Sequence, residues 1–143
     1  MLPSLIISLI RKHHVLTLST CGNDGVWVSH CFYVFDEEKT RLIIISDLET
    51  KHAQHMLVNP TVAVGIALET RIVAKIQGLQ IKAKAHLVSE AELHQVKKLY
   101  LLRFPYAALQ HNPAFWALDL VYVKMTDNRF GFGKKLIWEK EKE

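Results

Sequence analysis

Ile72-Val-Ala-Lys-Ile-Gln-Gly-Leu-Gln-Ile-Lys-Ala-Lys-Ala-His-Leu87 is the stretch whose periodicity decides the fold. Ile72, Ala74 and Ile76 alternate in one phase; Leu79, Ile81, Ala83, Ala85 and Leu87 alternate in the other. Strand side chains point to opposite faces with a period of two, so a change of phase at Gln77-Gly78 requires a bulge or a sharp bend, which glycine permits. Small barrels turn corners this way, and a flat sheet has no need of it. The expectation is one long bent strand from Ile72 to Leu87.

Upstream, Thr61–Ala67 reads as a strand, preceded by a short helix that starts near Thr50 and stops before Pro60, with Ala53, Met56 and Leu57 on one face. Before it come three runs joined by polar turns: His14–Thr20, Val26–Phe35 and Arg41–Ser46. The turn Gly22-Asn-Asp-Gly25 is a strong hairpin signal. Leu42-Ile-Ile-Ile45 is apolar on both faces, as in a strand covered on both sides. The first ten residues form an amphipathic helix. They lack the basic leader and small-residue cleavage site of a secretory signal.

Downstream, Ser89-Glu-Ala-Glu92 reads as a capping box opening a helix with a buried stripe of Leu93, Val96, Tyr100 and Phe104, ended by Pro105. The strand Phe115–Met125 alternates Trp116, Leu118, Leu120 and Tyr122. A basic tail, 126–138, carries Phe130, Phe132 and Trp138 as anchors that dock on the barrel or on a dimer interface. Strands dominate without regular β-α-β alternation, which excludes a doubly wound parallel sheet. The expected fold is α+β, mainly β: a six-stranded antiparallel split barrel with about three flanking helices, and residues 1–143 as one domain.

Half of the 143 residues are apolar and the formal charge is +4 with histidines neutral. No run is apolar for the ~20 residues of a membrane helix. Cys21 and Cys31 have no metal-ligand spacing and no disulfide framework, which suits a reducing cytoplasm. The basic residues are scattered without aromatic interleaving, which argues against nucleic acid.

Ser46-Asp-Leu-Glu-Thr-Lys51 is the first candidate site, because a strand end leading into a helix offers free amides and a helix dipole to a phosphate. Ser46 and Thr50 add hydroxyls, and Lys51 adds charge. The same pattern is also that of an ordinary capped helix with one surface lysine. His52 and His55 stand at i and i+3 with no cysteine or carboxylate at zinc spacing, so no metal site is indicated. His30 lies mid-strand among apolar residues, where a polar group needs a partner or a ligand. No nucleophile elbow, dinucleotide fingerprint or phosphate loop is present, and no catalytic residue is assigned.

The order of elements resembles the pyridoxamine 5′-phosphate oxidase-like split barrel, through Ser46 leading to Thr50-Lys51, Asn59-Pro60 before a strand, and the bend at Gly78. Thr50-Lys-His-Ala-Gln54, Arg103-Phe-Pro105, Thr126-Asp-Asn128, Gly131-Phe-Gly-Lys-Lys135 and Ile137-Trp138 are similar to a bacterial branch, the YhbP-like proteins. The resemblance implies a homodimer binding flavin mononucleotide (FMN) at the subunit interface. It places the FMN phosphate at Ser46, Thr50 and Lys51 and the ring along Val28, Ser29, His30 and Ile45. Residues near Gln77 and Trp116 of the other subunit close its far side. It implies a flavin-dependent oxidoreductase of an unknown small substrate, or a non-catalytic flavin or haem binder for storage or sensing. Where the oxidases have an arginine on the second strand, this chain has Trp27-Val-Ser-His30, and their C-terminal substrate-binding arginine and histidine are not recognisable. Vitamin B6 oxidation is therefore not implied. His30 is the candidate for proton transfer if it faces the ring.

Overall fold

The computed structural model describes residues 1–131 and 135–143; the expected anchor Phe132 and part of the Gly131–Lys135 motif lie outside the described residues. Three helices, α1 (Ser4–Lys12), α2 (Lys51–Val58) and α3 (Glu90–Arg103), flank a curled antiparallel sheet. Its strands are β1 (Val15–Gly22), β2 (Gly25–Phe32), β3 (Val34–Asp36), β4 (Arg41–Ile45), β5 (Thr61–Ala67), β6 (Gln77–Leu87), β7 (Phe115–Asp127) and β8 (Lys135–Glu139). The order across the sheet is β2-β1-β5-β6-β7-β4-β3, with β8 also on β7.

The sheet has eight strands among the described residues, where six were expected. One extra strand arises because Val26–Phe35 is interrupted at Tyr33. Its side chain is wholly buried, its hydroxyl donates to Ile10 O at 2.5 Å and its amide to His14 O at 3.1 Å. The other is β8, where the tail pairs with β7 from Tyr122↔Glu139 to Thr126↔Lys135. Leu136 and Trp138 pack on the core, whereas Phe130 is half exposed, with the Arg129 guanidinium 5.5 Å from the centre of its ring.

The bend expected at Gly78 is not there. β6 begins at Gln77, and Ile72–Ile76 is a loop around the short turn Val73–Lys75. Asn128 holds that loop, donating from Nδ2 to Val73 O at 2.8 Å and from its amide to Ile76 O at 2.9 Å. The change of phase lies in β7 instead. Lys82 pairs with Tyr122 but Ala83 with Leu120, so Val121 is an extra residue. Trp116, Leu118 and Leu120 therefore point inward before the bulge and Val123 and Met125 after it, while Tyr122 does not share the inward phase.

The main core lies inside the curl, filled by Leu16, Leu18, Val64, Ile81 and Leu118 with Ile6 and Ile10 of α1. A second cluster sits outside β4 and β7, where Ile43, Phe115 and Ala117 meet Val96 and Tyr100 of α3 and Phe104 just after it. β4 is thus covered on both faces, as its sequence indicated. Leu93 is exposed, and Ser89 makes no side-chain cap. Glu92 reaches instead to Lys39 and to the buried Arg41 across the β3–β4 turn, so an ion pair replaces the capping box. On α2 the buried residues are Ala53, His55 and Met56, while Leu57 is exposed.

Candidate functional site

A cleft of about 400 Å³ opens where the end of β2 faces the end of β4, between the start of α2 and the turn after α3. Ser46, Asp47, Thr50 and His52 form its polar side, Ile45 adds an apolar face, and Phe32, Tyr100 and Tyr106 contribute aromatic walls. A volume of this size suits a small organic ligand.

Ser46 is set from three directions. Its amide donates to Ala114 O at 3.0 Å, its carbonyl accepts the Trp116 indole N–H at 3.0 Å, and its hydroxyl lies 2.7 Å from His52 Nε2. Trp116 is almost wholly buried, so it fixes the strand end from behind. Thr50 caps α2: its Oγ1 accepts from the Ala53 amide at 3.3 Å and its hydroxyl donates to Asp47 O at 2.8 Å. The amides of Lys51 and His52 precede the first acceptor within the helix, which leaves the opening turn able to donate. Burial, and after it the nearby His55, lowers the His52 pKa, which favours the neutral ring. Burial pushes the Cys31 thiol up, and the Tyr100 phenol is raised to about 12 for the same reason.

The residues singled out from sequence fall into three groups. Ile45, Ser46, Thr50 and His30 line the cleft, and Trp116 braces it. Val28 and Ser29 lie on β2 beside it. Val28, like His30, belongs to the face shared with Ser19 and Thr17, while the Ser29 hydroxyl is enclosed without a hydrogen-bond partner two residues before Cys31. His30 Nδ1 lies 3.2 Å from Thr17 Oγ1. Lys51 does not line the cleft. Its ammonium pairs with Asp24 at 3.2 Å and lies 4.6 Å from the centre of the Trp27 ring. Gln77 pairs with Asp127 at one end of the β6–β7 ladder and Trp116 with Leu87 at the other, about 30 Å apart along one chain.

Sequence reasoning missed Tyr100, Tyr106 and Gln110 as cleft residues and Asp24 as the partner of Lys51. Asp24 carried only a turn signal. His52 was weighed solely as a metal ligand; its place in the helix's first turn, six residues after a strand-end serine, was the available sign. Among the described residues no cluster of three or more metal-ligating side chains occurs, and no helix is long and apolar enough to cross a membrane.

Comparison with known proteins agrees with this architecture. A UPF0306 protein of Yersinia pestis is 39% identical over 136 residues, spanning 95% of this chain and 92% of the relative. Among solved structures, a heme binding protein from Mycobacterium smegmatis superposes with a TM-score of 0.78 at 16% identity, over 97% of this chain but only 59% of that longer one. A FAD-binding protein from Mesorhizobium loti gives 0.71 at 13% identity, over 87% of this chain and 94% of the other. At such identities the likeness is one of fold. The pyridoxamine 5′-phosphate oxidase family model matches residues 4–126, most of the sheet and all three helices, and the chain belongs to that family.

Proposed function

We propose that this chain binds FMN and acts as a flavin-dependent oxidoreductase on a small substrate. The observation that carries the reading is the prearranged Ser46–His52 pair, 2.7 Å apart, inside an aromatic-walled cleft at the end of a strand. FMN asks for hydrogen-bond donors around a phosphate and for an apolar slot beside a few polar groups. The cleft fits the first with the Ser46 hydroxyl and the opening amides of α2, with Thr50 shaping the turn. It fits the second with Ile45, Phe32 and His30, while Val28 and Ser29 lie beside it on the same strand. Bound there, the flavin would supply the electron-transfer chemistry, leaving the protein to hold and orient it. Trp116 keeps Ser46 in place, and His30 is the side chain suited to carry a proton at the cleft edge.

A homodimer suits the reading. β2 is an edge strand that exposes Val26, Trp27, Val28 and Phe32, a surface that a second copy would cover. The whole chain then works as one cytoplasmic split-barrel domain, consistent with two free cysteines. The second reading is a haem or flavin carrier without turnover, favoured by the likeness to the mycobacterial heme binding protein.

The visible spectrum of freshly purified protein tests both. Flavin bands, with turnover on addition of a nicotinamide donor, are expected. A Soret band would establish the carrier reading, and a colourless protein that takes up no added FMN would refute the flavin assignment.

A further inference from the structure

Lys51 opens α2, one residue from the Thr50 cap and from His52, yet its ammonium is directed at the β1–β2 hairpin. There the Asp24 carboxylate serves two partners with its two oxygens. Oδ1 lies 2.7 Å from His55 Nε2, and Oδ2 lies 3.2 Å from Lys51 Nζ. A carboxylate only accepts, so His55 Nε2 carries a proton. His55 Nδ1 then faces the Thr20 hydroxyl at 2.9 Å, with both side chains buried. Gly22 closes the arrangement, because a Cβ there would fall 2.4 Å from the His55 ring.

The two contacts differ in kind. The His55 side is fixed: a buried ring tied at both nitrogens. The Lys51 side is exchangeable, since the lysine and aspartate side chains are 48% and 55% exposed. A flexible four-carbon stem lets the ammonium move while α2 stays in place. The hydrogen bond from His55, and after it the one from Lys51, holds the Asp24 carboxyl below the usual range, so it stays charged at neutral pH.

We propose that Asp24 is a latch on Lys51: it holds the lysine off the start of α2 until the phosphate of a phosphate-ester ligand seated at Ser46 competes for the same ammonium. Binding exchanges one ion pair for another, and the hairpin tip and Trp27 lose their cation when the site fills. The inference rests on the site proposed above for the position of the anion. It adds Asp24 as a positioning residue outside the cleft, acting through Lys51.

Asp24→Asn separates the two duties, because the amide oxygen still accepts from His55 while the charge facing Lys51 is gone. Inorganic phosphate and FMN are titrated into wild type, Asp24→Asn and Lys51→Met at constant ionic strength. Trp27 emission is the readout for phosphate, assigned with Trp27→Phe. In wild type phosphate should change the Trp27 signal, and Lys51→Met should abolish that change. Asp24→Asn should tighten phosphate and FMN by roughly two- to fivefold, the size of one exposed ion pair. Equal or weaker phosphate binding by Asp24→Asn overturns the latch. If FMN binds with the same affinity to wild type and Asp24→Asn, the flavin reading stands and the latch falls. If phosphate behaves as expected but FMN is not taken up, the latch stands and the flavin reading falls.

Discussion

Replacing Gly22 by alanine adds one methyl group where the structure has no room for it. The new Cβ would lie 2.4 Å from His55 Cδ2, 2.8 Å from Nε2 and 3.1 Å from Cγ. The ring cannot swing aside cheaply, because Thr20 and Asp24 tie both of its nitrogens. Moving it breaks the buried bond to Thr20, about 1 kcal/mol, and strands a buried hydroxyl opposite a ring nitrogen, about 1–3 kcal/mol. The expected loss is therefore about 2–4 kcal/mol. At roughly 3 °C per kcal/mol for a chain of this length, the midpoint should fall by about 6–12 °C. Differential scanning calorimetry at neutral pH measures it. Gly78→Ala is the matched control: its Cβ would meet Ile66 O at 3.5 Å and Ala67 Cβ at 3.8 Å, ordinary contacts. It should be neutral or slightly stabilising, since alanine restricts the unfolded chain. A Gly22→Ala midpoint within about 1 °C of wild type would refute the clamp, and a large loss in Gly78→Ala would restore the bend that the sequence suggested.

Acid should weaken the fold through its histidines. The His52 pKa is lowered from 6.5 in the folded protein, so the unfolded chain takes up the proton first. That share of stability is complete above pH 6.5 and is lost as the pH falls through the lowered value. His52→Gln should flatten the fall in melting temperature between neutral pH and about pH 5; His13, lowered chiefly by burial, leaves a residual slope. An unchanged slope in the variant would count against the assignment. Arg103 binds the carbonyls of Tyr33, Arg11 and His13, joining α3 to the end of α1 and the break between β2 and β3. Lysine cannot reproduce that fork, so Arg103→Lys should cost about 2–3 kcal/mol in urea unfolding. A loss under about 0.5 kcal/mol would show the fork to be dispensable.

What could be read from the sequence was what neighbours along the chain decide. The Gly22–Gly25 hairpin followed from local turn chemistry, and Leu42–Ile45 declared its two covered faces by composition. Ser46 and Thr50 were legible because a strand end followed by a helix cap is a local pattern. The errors came from distant partners. Ile72–Ile76 has strand-like alternation, but Asn128 holds it as a loop. The bulge at Val121 left a weak trace, because Tyr122 continues the apolar alternation that the structure breaks. Lys51 looked like a free cation, since nothing in a turn sequence announces that Asp24 will reach across to it.

β4 has one more consequence, for the order in which the chain is made. Among the described residues its partners are the three-residue β3 and β7, with Ile43 opposite Ala117, more than seventy residues later. As the polypeptide emerges, β1, β2, β5 and β6 can pair among themselves, whereas Leu42-Ile-Ile-Ile45 still lacks its β7 ladder and the α3 residues that cover Ile43 on the outer face. Pairings this distant in sequence form slowly. A short β-rich apolar segment left open in the meantime is the kind that self-associates. The strand that is best covered in the finished protein is thus the most hazardous one during synthesis, and slower elongation between Val88 and Ala114 would prolong that exposure.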